Sequence, residues 1–134
     1  MVLFPSQEWI DRFQDELNRN AVYEEAARTW EGDFLFLVQP EGALSQPVEF
    51  YLDLFHGKCR EALMLDTPGA RTAAYSLEGP YGQWRKLIAR EIEPIKAVLG
   101  GSLRIKGNTL KIMRYTTAAK ELVRTATEIP TEFL

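Results

Sequence analysis

Residues 75–123 read YSLEGPYGQWRKLIAREIEPIKAVLGGSLRIKGNTLKIMRYTTAAKELV, and the order of elements in this stretch decides the fold. Ala73–Leu77 is apolar enough for a strand, and Pro80 suits the opening of a helix, where its missing N–H costs little. Trp84, Leu87, Ile88 and Ile92 then recur at helical spacing. Pro94 must break or restart that helix, and Ile95, Val98 and Leu99 carry the stripe onward to Gly100-Gly101. Leu103 and Ile105 mark a further strand. Asn108 is placed to cap a long final helix, in which Ile112, Tyr115, Ala119, Leu122, Val123 and Ala126 share one arc and Arg114, Glu121 and Arg124 face away. Leu110 and Met113 fall off that arc, near the helix start. Two readings fit them: packing against a second neighbour, or the lining of a cavity, which an adaptable methionine suits.

Upstream, Ser6 is a plausible N-cap with Glu8 in the first turn, and Trp9, Ile10, Phe13, Leu17 and Ala21 occupy one helical face. A shorter helix is predicted over Val22–Arg28. At Asp33 the period changes. Phe34–Val38 is an unbroken apolar run, the pattern of a central strand buried on both faces. Val48, Phe50, Leu52 and Leu54 alternate with Glu49, Tyr51 and Asp53, the pattern of a strand with one buried face. His56-Gly57 makes a tight turn into a strand at Lys58–Leu65, and Pro68-Gly69 opens the next turn. The strands from Asp33 to Leu77 read as an antiparallel meander.

Chain length and composition limit the classes of function. At 134 residues the prior is a single domain, 1–134. Net charge is −3, which argues against general nucleic-acid binding. The charge is unevenly placed: residues 1–79 carry 6 basic and 14 acidic side chains, residues 80–134 carry 10 and 5. A basic face of that kind either is a solvated surface or meets anionic head groups or an acyl thioester, so transient membrane-surface contact is an expectation. No apolar run is long enough to span a bilayer. The N-terminus lacks the basic-then-apolar pattern of a signal peptide, and Cys59 is the only cysteine. The expected location is cytoplasmic.

Candidate chemistry is sparse. His56 is the only histidine, so no histidine metal cage can form. HGKC, residues 56–59, puts His56 and Cys59 across a predicted hairpin turn, which offers a nucleophile and base exposure but no enclosure or orienting group. Asp33, Asp53 and Asp66 each fit a strand end or a solvated face. No catalytic residue, metal site or cofactor is expected.

The segments WEGDFLFLV (30–38), YSLEGPYGQWRKLI (75–88), EPIKAVLGGSLRIKGN (93–108) and YTTAAKELV (115–123) resemble the sterol carrier protein type 2 family in its small stand-alone prokaryotic form. The likeness runs over residues 20–125 in family order, and GSLRIKGN, 101–108, is its most specific part. Asn108 stands where the family commonly has Asp, and Gly100-Gly101-Ser102 where a basic residue is usual. The resemblance implies an α+β fold: a five-stranded, mostly antiparallel sheet with helices on one face and an elongated apolar tunnel between them. It implies binding of fatty acids, fatty acyl thioesters, sterols or phospholipids, with no shared catalytic residues. On that fold Phe36, Phe50, Leu52, Leu77 and Ile105 are expected to line the tunnel from the sheet, with Trp84, Leu87, Ile88, Leu110 and Met113 facing them. Lys106 or Lys111 is expected near a head group. The expected function is non-catalytic lipid binding and transfer. The alternative is an interaction, regulatory or accessory domain with a filled core, associated with an acyl-CoA enzyme.

Overall fold

A computed structural model describes all 134 residues. In chain order its first half holds β1 (Val2–Phe4), α1 (Gln7–Leu17), α2 (Ala21–Ala26), β2 (Phe34–Gln39), β3 (Val48–Phe55) and β4 (Lys58–Met64). The second half holds β5 (Tyr75–Pro80), α3 (Tyr81–Ile88), α4 (Pro94–Leu99), β6 (Arg104–Lys106), α5 (Thr109–Met113), α6 (Thr116–Thr127) and β7 (Thr131–Phe133).

The main sheet has the order β4-β3-β2-β5-β6. β2 is central, as its apolar run requires, although its outer-face residues Leu35 and Leu37 are only half-buried. The expected meander is half right. β2, β3 and β4 pair antiparallel, but β5 crosses back to lie parallel beside β2. Asp33 decides this. Its carboxylate accepts a hydrogen bond from the Ala74 N–H at 2.7 Å and from the Tyr51 hydroxyl at 2.8 Å, and its carbonyl accepts from the Tyr75 N–H at 3.1 Å. The returning chain is thus received on the free side of β2. β6 completes the sheet antiparallel to β5.

Register puts Phe36 opposite both Phe50 and Leu77, and Leu77 opposite Ile105. Strand neighbours alternate faces, so these four and Leu52 share one face, the one the helices cover. Glu49, Tyr51, Asp53, Glu78, Arg104 and Lys106 share the other. Ser6 caps α1 through the Trp9 N–H at 3.0 Å, and Trp9, Ile10, Phe13 and Leu17 are buried. α1 ends at Leu17, so Ala21 belongs to α2 rather than to the α1 stripe. Asn20 accepts from the Tyr23 N–H at 3.0 Å and starts a new helix axis.

The β3–β4 turn has His56 at φ 48° and Gly57 at φ 80°, the two left-handed positions of a tight hairpin. Glycine is doubly required there, since a Cβ on residue 57 would lie 2.5 Å from the Glu24 carbonyl oxygen of α2. The final helix is not continuous. Asn108 caps α5 through the Lys111 N–H at 3.1 Å, but the chain breaks at Tyr115 before α6. The Tyr115 ring packs edge-on against Trp30 at 5.0 Å and its hydroxyl pairs with Thr29 Oγ1 at 2.9 Å, so a tertiary contact overrides helical periodicity. The buried positions of α6 are Ala118, Thr125 and Ala126, while Ala119, Leu122 and Val123 are half-buried. Glu121 does not face away. It accepts from Asn20 Nδ2 at 3.1 Å and pairs with Arg124 at 2.7 Å along the seam with α2.

The chain ends form a ribbon that no periodicity foretold. β1 and β7 pair in parallel, Val2 opposite Thr131 and Phe4 opposite Phe133. Trp9 Nε1 donates to Thr131 Oγ1 at 3.1 Å, which ties the ribbon to α1. Replacing Asp33 by alanine strips the hydrogen bonds to Ala74 and Tyr51 at the meeting of three strands. Urea titration of Asp33→Ala should show a loss of about 2–3 kcal/mol, the range for charged hydrogen bonds left unmade. A variant as stable as the parent would contradict this account of the sheet order.

Candidate apolar binding site

The helix layer covers the sheet unevenly. Over β3 and β4 it is tight: Phe50, Leu52 and Leu54 are at most 1% exposed beneath α1. Toward β5 and β6 it loosens, and Phe36, Leu77 and Ile105 are only half-buried although they point to the helix side. Trp84 is the anchor of this region. Its indole N–H is shared between the Leu37 carbonyl at 3.2 Å and the Gly79 carbonyl at 3.1 Å, and its ring meets Phe36 at 5.4 Å. Aromatic contacts continue from Phe36 through Phe34 to Trp30 and Tyr115, with centroid separations of 6.1, 6.0 and 5.0 Å.

Of the ten residues expected to line a ligand space, Phe50, Leu52, Trp84, Leu87 and Ile88 are buried in the core between sheet and helices. Phe36, Leu77 and Ile105 are half-buried on the same side of the sheet. Leu110 and Met113 depart from the expectation: they are 73% and 71% exposed, and α5 buries none of its side chains. The break at Tyr115 explains this, because α5 does not continue the axis of α6 and its apolar residues do not follow the α6 stripe inward. Lys106 is also corrected, since it lies with Arg104 on the sheet face away from the helices. Lys111 is already engaged, donating to the Glu31 carbonyl at 2.6 Å with its ammonium 4.7 Å from the Trp30 ring centre.

Two clefts open on the helix layer. One, about 670 Å³, lies between α2 and the start of α6, lined by Val22, Ala26, Tyr115 and Ala118 with Glu25 and Arg114. The other, about 420 Å³, lies between α3, α4 and α6. Its apolar wall is Leu87, Ile92, Ile95 and Val123, and its rim carries Arg90, Lys120 and Arg124. Leu87 is the one expected residue that reaches a cleft. Its neighbours Ile92 and Val123 carry the same helical periodicity, which by itself does not distinguish a core stripe from a cleft wall. Arg90 and Arg124 share Glu128 at 3.3 and 3.4 Å, whereas Lys120 makes no ion pair. α4 is a weakly held wall: it buries only Ala97 and is followed by Gly100 and Gly101. Close packing returns at Gly79, where a Cβ would collide with the Leu103 side chain.

The hairpin pair does not form a nucleophilic site. His56 Nε2 bonds Glu31 at 2.6 Å at the turn, while Cys59 is 2% exposed and its Sγ donates to the Glu61 carbonyl at 3.4 Å. The turn assignment therefore holds for His56 but not for Cys59, which packs inward on β4. Its backbone is strapped to α1 through Asn18 and Gln14 at 2.8–2.9 Å. Burial pushes the Cys59 thiol up to about 12. The Glu121 carboxyl is held below its ordinary value by the Arg124 guanidinium and, further, by Asn20.

The SCP-2 sterol transfer family model matches residues 10–120, and the chain belongs to that family. The crystal structure of a sterol carrier protein 2 is 31% identical, with a TM-score of 0.85 over 92% of this chain and 97% of that one. A conserved hypothetical protein of Thermus thermophilus, described as possibly a sterol carrier protein, is 31% identical with a TM-score of 0.84 over 95% and 90% of the two chains. The sterol carrier protein 2 of Aedes aegypti, solved with a C16 fatty acid, shares the fold at 13% identity and a TM-score of 0.57 over 88% and 93% of the chains. No curated protein matches the sequence. No helix is long and apolar enough to cross a membrane.

Two outcomes follow for this region. Cys59 should resist iodoacetamide at pH 8 in the folded protein and react only on unfolding, because both access and thiolate are suppressed; labelling at the rate of a free thiol would place Cys59 outside the core. Because the folded value of Glu121 is depressed, its contribution to stability is present above the ordinary carboxylate value of 4.5 and lost as pH falls through the depressed one. Glu121→Gln should therefore flatten the acid limb of the stability curve measured by urea midpoint between neutral and acid pH.

Proposed function

We propose that this protein binds the acyl chain of a long-chain lipid, a fatty acid or fatty acyl thioester, without transforming it. The observation that carries the reading is the apolar cleft between α3, α4 and α6, which reaches the buried Leu87 from the surface and has an unpaired Lys120 at its rim. Its volume of about 420 Å³ falls in the range of small-molecule sites. The chain would enter over Val123 and Ile92, displace the lightly packed α4, and extend past Leu87, Ile88 and Trp84 toward Leu77, Phe36 and Ile105. Phe50 and Leu52 close the far end as fully buried core. Leu110 and Met113 lie outside this path. Lys120 would meet the carboxylate or the polar end of the thioester.

Affinity on this reading comes from desolvation. Each buried CH₂ contributes up to about 0.8 kcal/mol, or roughly fourfold in affinity, against the cost of ordering the chain. Membership of the SCP-2 sterol transfer family supports the assignment, as does the absence of any buried side-chain polar atom left without a partner, since nothing in the core demands a polar ligand.

The test is competition by saturated fatty acids of increasing length against a fluorescent acyl probe. Affinity should climb steadily with length. Val123→Trp, which fills the cleft from a half-buried position, should weaken binding at least about tenfold with a melting temperature within a few degrees of the parent. Ala126→Trp, at a buried position of α6 that lines neither cleft, should instead destabilise the whole fold by overpacking, by about 1–3 kcal/mol. Affinity independent of chain length, with Val123→Trp binding normally, would overturn the reading in favour of a filled-core accessory domain.

A further inference from the structure

The two edges of the main sheet are finished differently. At β4, side chains of α1 occupy the outward backbone groups. The Met64 N–H donates to Gln7 Oε1 at 2.8 Å, the Cys59 N–H donates to Asn18 Oδ1 at 2.8 Å, and the Cys59 carbonyl accepts from Gln14 and Asn18 at 2.9 Å. At β6 nothing does so. Beyond the β5 ladder, the backbone of Arg104–Lys106 makes no hydrogen bond with the rest of the main chain, and from Arg104 to Leu110 every residue but Ile105 is exposed. This edge is held firmly all the same. Leu103 is buried against Gly79, and Gly107, at φ 123°, closes on the Tyr75 ring, where a Cβ would lie 2.5 Å away. Arg104 and Lys106 stand on the sheet face away from the helices, opposite Glu78 and Ser76, and Ile105 stands on the helix side opposite Leu77. Arg104 pairs with Glu78 at 3.3 Å while its side chain stays 66% exposed, and Lys106 makes no ion pair.

We propose that β6 receives an extended segment of another protein as a sixth strand, and that the segment alternates acidic and apolar residues. Strand addition satisfies the outward N–H and C=O groups of the edge, and alternate side chains set the specificity. In register, the acidic residues meet Lys106 and Arg104 on one face and the apolar residue meets Ile105 on the other. A second copy of this chain does not fit. Antiparallel pairing of two β6 strands about Ile105 sets Arg104 of each against Lys106 of the other, and like charges directly opposite destabilise a ladder. Basic residues on a short edge strand guard against uncontrolled pairing; here they exclude a like strand and select an acidic one. The surrounding chain has the same sign, since residues 94–120 carry six basic side chains and no acidic one. Nothing in this docking mode depends on the lipid-binding reading.

The experiment is an NMR titration of the isotope-labelled full chain with the peptide acetyl-Glu-Val-Glu-Val-Glu-amide at low salt. Saturable shifts should centre on the amides of Arg104–Lys106 and their β5 partners, and amide exchange in β6 should slow. The same peptide with lysine in place of glutamate should not bind. Two further peptides separate strand addition from charge attraction, one methylated on the backbone nitrogens of its valines and one on those of its glutamates. Successive N–H groups of a strand point to opposite sides, so one methylated peptide should bind like the parent and the other should not. Lys106→Glu should weaken the glutamate peptide at least about fivefold and let the lysine peptide bind. Lys106 is exposed, and a circular dichroism melt checks that the variant is folded. Four outcomes overturn the proposal: no saturable shift, shifts centred away from β6, both methylated peptides binding like the parent, or β6 shifts that follow protein concentration without peptide. The third would mean that anions adsorb on a basic surface without pairing, and the fourth that a second copy occupies the edge.

Discussion

The sheet depends on Asp33. One carboxylate and one carbonyl, at the last residue before β2, hold the Tyr51 hydroxyl of β3 and the Ala74 and Tyr75 amides at the start of β5. That places strands on both sides of β2 with their register set. A carboxylate accepting a backbone N–H and a hydroxyl in a half-buried position gains more than a neutral pair would. Register then propagates: with Phe36 opposite Phe50 and Leu77, every apolar residue of the five strands is assigned a face.

From that face the helix layer follows, and so does its unevenness. α1 lies over β4 and is tied there by Asn18 and Gln14, so the β3–β4 end of the core is closed. Past Trp84 the cover is made of short helices. α4 has six residues and one buried side chain, and α5 has five and none. Elements with little buried apolar area open at low free-energy cost. The closed end supplies stability, and the loosely covered end is where the proposed acyl-chain site lies.

The charge pattern belongs to the same division. Acidic residues concentrate in the half of the chain that builds the closed end, where Glu24, Glu61 and Asp53 pair with Lys58, Arg71 and Arg60. The loosely covered end is basic and mostly unpaired. Stability there gains little from ion pairing, as exposed pairs contribute only about 0–1 kcal/mol each. Lys96, Lys106, Arg114 and Lys120 make no ion pair there, whereas Arg104 pairs with Glu78 and Lys111 bonds the Glu31 carbonyl.

Much of this was legible in the sequence because it rests on local period and capping. The one-sided strand 48–55, the helix at Trp84–Ile88, the restart at Pro94 and the cap at Asn108 follow from spacing and backbone chemistry that neighbours a few residues apart already contain. The sharing of one sheet face by Phe36, Phe50, Leu52, Leu77 and Ile105 followed from alternation once the strands were placed. What needed the tertiary structure were events set by distant partners. The parallel return of β5 depends on Asp33, 41 residues from Ala74. The break before α6 depends on Trp30 and Thr29 holding Tyr115, and it turned Leu110 and Met113 from expected lining into surface. The β1–β7 ribbon joins the two ends of the chain. Periodicity tells which side of an element is apolar; only packing decides whether that side meets a core, a cleft or the solvent.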